Sequence, residues 1–223
     1  MSNINKWTDD YWLPLIQLYL RKPVGVKPLY SRALVDLSLE LHLPPHTLQK
    51  QLQRLRLLNN PVIEKLWNRY STHPKQLAAA VDKWRRMRGF GFADTFYEGV
   101  ERQQQDFETD FLPVEGLPHM KPVMLILVLH LYYQLTPNTM VEDTPEVKTL
   151  AKKIHLNTKD IVSILDTYQQ CDPYLNKREE EKEEREKRNT PLYTACQNIW
   201  QRYEMLADGQ IEADAVQMAA YFE

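Results

Sequence analysis

The chain is poor in glycine and cysteine, and each shortage removes a class of answer. Six glycines in 223 residues are too few for the many tight turns of a β-rich domain. The straight-chain helix formers Leu, Gln, Glu, Lys and Arg are abundant instead. Two cysteines, Cys171 and Cys196, cannot build a disulfide framework. No apolar run reaches the ~20 residues of a membrane span. The longest, Val123 to Leu131, contains His130 and is followed by Tyr132, Tyr133 and Gln134, which predicts a fully buried helix. The opening Met1–Trp7 lacks the charged-then-apolar profile of a secretory leader, so a cytoplasmic location with no membrane partner is expected.

Signatures of chemistry are also missing. No phosphate-cradling glycine loop, nucleophile elbow or cysteine–histidine pattern occurs. Among the histidines at 42, 46, 73, 119, 130 and 155, only His42 and His46 stand four apart, across Pro44 and Pro45. That is not a metal-ligand pattern. The expectation is a non-enzymatic protein with no catalytic residues, no cofactor and no metal.

What is present points to an all-α, multi-helical bundle. With 43% apolar residues the chain can bury one large core or two of about 110 residues each. The net charge of −2 hides a split. Residues 1–100 carry 15 Lys+Arg against 8 Asp+Glu, and residues 101–223 carry 13 against 22. Only the first half has the charge to sit on nucleic acid.

In chain order, Thr8 is placed to cap a helix over 9–20, with Trp12, Leu15, Ile16, Tyr19 and Leu20 at helical spacing. Prolines 23 and 28 then force a loop carrying Arg21, Lys22 and Lys27. Ser31 is placed to cap a helix over 32–41, His42 to turn the chain in a left-handed conformation, and Pro45 to open a helix over 45–57. Asn60-Pro61 and His73-Pro74 open two more helices, and Gly89-Phe90-Gly91 is read as the end of the second. A further amphipathic segment is expected over 92–110. The Leu112–Pro118 segment is read as the linker, dividing residues 1–117 from 118–223.

After that linker the order recurs. A buried helix at 123–135 is followed by Thr144-Pro145 opening a helix, a turn at His155, and a second helix. The spacing of Leu37–Leu52 returns without a gap 113 residues later as Leu150–Leu165. Six identities (Leu18, Tyr19, Leu37, His42, Leu43 and Leu52 with their partners) are few, but the order of caps and turns repeats with them. Trp67-Asn68-Arg69-Tyr70 is likewise answered by Trp200-Gln201-Arg202-Tyr203. The run 177–188, with acids four residues ahead of bases, is expected to form a solvated charged helix. Duplication would allow a pseudo-twofold relation between the halves.

Ala151, His155, Leu156, Ile161 and Ile164 occupy the small, left-handed and apolar places of a helix-turn-helix, and the second hairpin resembles that DNA-binding motif. The first copy resembles it with Ser38 as the small residue and Gln51 in place of Ile164. The resemblance covers about a fifth of the chain, and packed α-hairpins that bind no DNA share it. It implies an exposed second helix that reads double-stranded DNA. Thr47, Gln49, Lys50, Gln53 and Arg54 are the candidate base contacts in the first copy, with Arg21, Lys22, Lys27 and Arg56 as phosphate contacts. The second copy offers Asp160, Ser163 and Asp166 there, which repel phosphate. No glycine-turned β-hairpin follows Arg56, so no wing is expected. Arg88–Phe96 resembles the aromatic strand of RNA-recognition motifs, but its helical neighbours favour a helix end. The alternative function is a protein-interaction scaffold in which both hairpins are structural.

Overall fold

The computed structural model describes residues 7–91, 106–175, 190–207 and 209–223. The expected charged helix at 177–188 and most of the amphipathic segment at 92–110 lie outside them. The fold is all-α: among the described residues there are eleven α-helices, three short 3-10 segments and no strand. Two compact units divide at Gln105/Asp106.

In the first unit, a 3-10 turn (Asp9–Tyr11) leads into α1 (Trp12–Leu20), followed by α2 (Arg32–Leu41), α3 (Pro45–Leu57), α4 (Pro61–Tyr70) and α5 (Pro74–Gly91). Helix α1 is the hub and packs on all four others. It contributes Trp12, Leu15, Ile16 and Leu18 to a core completed by residues such as Leu34, Leu41, Leu48, Leu52, Ile63 and Val81. Aromatic rings seal its edges: Tyr19 meets Trp67 edge-on at 5.6 Å, and Tyr11 meets Trp84 at 6.1 Å.

The second unit contains α6 (Asp106–Phe111), α7 (Pro122–Gln134), α8 (Pro145–Ile154), α9 (Thr158–Cys171), α10 (Pro191–Glu204) and α11 (Gln210–Met218). Helix α7 is apolar around most of its circumference because α6, α8, α9, α10 and α11 all pack on it. Tyr168 is fully buried, and its hydroxyl donates to the Leu125 carbonyl at 3.0 Å. Arg202 forks onto Asp110 at 2.7 and 3.1 Å, tying short α6 to α10.

Several details differ from the sequence reading. The Leu112–Pro118 segment, expected as the linker, falls within the second compact unit, which begins at Asp106. Gly116 sits there at φ +78°, and an added Cβ would come within 3.1 Å of Pro191. Helix α5 runs through Gly89-Phe90-Gly91 rather than stopping before them, since glycine in a helix costs only about 1 kcal/mol relative to alanine and does not by itself break one. Thr8, Ser31 and Thr144 make no side-chain cap bond. Thr144 Oγ1 donates instead to the Thr139 carbonyl. Asn60 and Thr190 do cap their helices, accepting from Val62 N and Tyr193 N.

Candidate nucleic-acid interface

Two helix hairpins carry the functional question, and both turn at a histidine. His42 (φ 54°, ψ 40°) and His155 (φ 58°, ψ 38°) are left-handed, a conformation for which His is one of the better non-glycine residues. One residue on, Leu43 N donates to the Ser38 carbonyl and Leu156 N to the Ala151 carbonyl, each at 3.1 Å. These bonds satisfy carbonyls that the helix end would leave unpaired. Ser38 and Ala151 are both buried beneath the bend.

In the first hairpin, α3 buries Leu48, Leu52 and Leu55 and turns His46, Lys50, Gln53 and Leu57 outward. Those four outward positions share one stripe of the helix. Gln49 and Arg56 flank it on one side, and Thr47 and Arg54 on the other. Lys50, Gln53 and Arg56 are exposed, whereas Thr47, Gln49 and Arg54 are half-buried. Arg54 spends one N–H on Gln51 Oε1 at 3.2 Å, and Gln51 is itself buried. The candidate residues therefore separate into an outward centre and two partly occupied flanks.

The loop after α1 brings Arg21 and Lys22 into the same neighbourhood, both exposed. Lys27, expected as a phosphate contact, is turned inward instead. Only 6% of it is exposed, and its ammonium donates inward to the carbonyls of Arg21 (2.6 Å) and Pro23. Burial, with the Arg21 guanidinium close by, lowers its pKa from the ordinary lysine value. Gln49 also has a different use from the expected base reading: its side-chain amide donates to the Lys27 carbonyl at 3.3 Å. Gly25 N closes the loop back onto the Tyr19 carbonyl at 2.9 Å. Composition marks all these residues as polar and basic; only the backbone path reveals that two of them point at the loop.

The second hairpin is built for a different surface. Asp160 and Asn157 form a reciprocal cap at the start of α9, and Ser163 and Asp166 are exposed along it. An anionic backbone would be repelled there. Between α7, α8 and α11 lies a groove of about 420 Å³ over Leu127, Leu131, Leu150 and Ala215, with His130 and Lys153 at its rim. It went unread in the sequence because alanines 215 and 219 look like ordinary helix residues. Cys196 is buried, which pushes its thiol well above the usual range and leaves it unsuited to nucleophilic work. Among the described residues no group of three His, Cys, Asp or Glu side chains could hold a metal ion, and no helix is long and apolar enough to cross a membrane. No known protein family, curated protein or solved structure matches the chain.

Proposed function

We propose that this chain is a cytoplasmic, non-enzymatic, helix-turn-helix-like protein whose first hairpin binds double-stranded DNA through the outward face of α3. The observation that carries this reading is the exposed set Lys50, Gln53 and Arg56, with exposed Arg21 and Lys22 on the adjoining loop. Gln and Lys suit hydrogen bonding to base edges, and the arginines suit phosphate. A cytoplasmic setting agrees with a sequence that holds only two cysteines.

We propose further that the two units are copies of one five-helix module, with α1–α5 answered by α7–α11. Three pairs of local features support this. Left-handed His42 and His155 each precede the same backbone bond. Tyr19 on Trp67 matches Tyr132 on Trp200, at 5.6 and 5.8 Å. Arg69 over Tyr70 matches Arg202 over Tyr203, at 5.3 and 5.2 Å. On this view the basic copy kept a nucleic-acid face and the acidic copy took another task.

The test is a gel-shift and anisotropy titration on random duplex across salt concentrations. Binding is expected at low salt, with log affinity falling linearly against log salt. Lys50→Glu combined with Arg56→Glu should abolish it; Arg54 is a poorer choice because Gln51 already holds it. An unshifted duplex at low salt sinks the reading. The second reading, a protein-interaction scaffold, rests on the groove of the second unit, where Val216 is 67% exposed beside an apolar floor.

A further inference from the structure

Lys27 is an unusual residue to bury. Lysine is almost never enclosed unless paired, and removing an ammonium from water costs free energy that a carboxylate would normally offset. Here its ammonium donates to two carbonyls of its own loop, those of Arg21 and Pro23, with the like charge of Arg21 nearby. The Arg21 carbonyl lies just past the end of α1, where the helix dipole favours a cation. The two bonded carbonyls bracket Lys22. One buried cation therefore fixes the backbone that presents two exposed ones.

The same loop is fastened to α3. Gln49 donates to the carbonyl of Lys27, and Gln49 lies on the side of α3 that also carries Arg56 and Gln53. A segment that could otherwise move independently is thus tied at both ends: to the end of α1 through Gly25 N and Lys27 Nζ, and to α3 through Gln49.

We infer that residues 21–28 form a phosphate-gripping arm of the α3 interface, in which Lys27 and Gln49 are positioning residues that hold Arg21 and Lys22 at a fixed offset from the helix face. This rests on the duplex-binding reading above and deepens it. The interface then has two parts: α3 meets the bases while the arm grips the backbone beside them. Lys27 touches no DNA and acts only through its neighbours.

A double-mutant cycle with a salt series tests this. The full chain is titrated against the same random duplex as wild type, Lys27→Met, the pair Arg21→Ala with Lys22→Ala, and all three together. Methionine keeps the apolar stem and removes the donors. Each released phosphate contact lowers the salt slope by about 0.9, so losing two lowers it by about 1.8. Lys27→Met should reproduce much of that fall, and it should add nothing once Arg21 and Lys22 are gone. If Lys27→Met fails to fold, Gln49→Leu cuts the other tie. Loss of a base contact alone would leave the salt slope unchanged, whereas a displaced arm lowers it. Duplex binding that is lost on Lys50→Glu but indifferent to Arg21→Ala with Lys22→Ala overturns the arm and leaves the α3 reading standing. A Lys27→Met effect that adds fully to the arm pair also overturns it. A wild-type chain that binds no duplex at low salt overturns both.

Discussion

The hydroxyl of Tyr168 donates across 3.0 Å to the main-chain carbonyl of Leu125, joining α9 to the most buried helix of the second unit. The Tyr168 ring also lies 6.2 Å from Tyr132 and 6.4 Å from Trp200. Tyr168→Phe keeps this aromatic packing and removes the buried bond to Leu125 together with a weak one to the Cys196 thiol, so a loss of about 1 kcal/mol is expected in urea unfolding. Tyr168→Ala also opens a cavity and should cost about 3–5 kcal/mol. Equal costs for the two would show that the ring contributes nothing.

Alkaline pH should act oppositely on the two units. Burial raises Tyr168, Tyr132 and Tyr203 above the ordinary value of 10.0. Above pH 10 the unfolded chain sheds protons that these folded phenols keep, so their contribution to stability is complete below that pH and is lost as pH rises. Lys27 has the reverse sign. Its folded pKa lies below 10.5, so its penalty on the first unit lessens as pH climbs toward that value. Tyrosinate absorbance followed beside circular dichroism checks this: the signal of Tyr168 should appear only with unfolding.

Ser38 offers a stabilising substitution. It is fully buried under the first bend, and its hydroxyl has no hydrogen-bond partner among the described residues. Ser38→Ala should raise stability by up to about 1 kcal/mol, and Ala151→Ser at the matching place in the second hairpin should lower it by a similar amount. A thermal melt of each variant decides the point. A destabilised Ser38→Ala would mean that the hydroxyl has a partner.

Arg202→Met leaves the Asp110 carboxylate, 8% exposed at its side chain, without its bidentate partner. Breaking a buried ion pair costs about 3–5 kcal/mol, but Asp110 keeps a further contact and water can enter where the 38% exposed Arg202 side chain stood, so about 2 kcal/mol is expected. Adding Asp110→Asn should recover part of that loss. Hydrogen exchange of α6 provides the local readout, because this pair ties that short helix to α10.

How far the sequence carried depended on the range of the signal. Helices α2, α3 and α7 are readable because their signals are local: apolar periodicity in α2 and α3, a continuous apolar run in α7, and proline at the first turn of α3 and α7; the left-handed histidines follow from their place between two helices. The division at Gln105/Asp106 carries no comparable local mark. Pro113, Gly116 and Pro118 look like a linker, yet an added Cβ at Gly116 would come within 3.1 Å of Pro191, far along the chain. Lys27 failed for a related reason. A lysine among prolines reads as an exposed cation, and nothing local says that its own loop closes over it. At the candidate interface, sequence found the residue types on α3, while the separation into outward and inward-tied side chains required the backbone path.

The three-residue links at His42–Pro44 and His155–Asn157 have a consequence for how such a surface can change over time. With so short a link, the rotational phase of the following helix is set by chain length. One inserted residue would turn every position on α3 by about 100°, swinging Leu48 and Leu52 toward water and Lys50 toward the core. The surface of α3 can therefore be altered by exchanging side chains but not by altering the length of the bend.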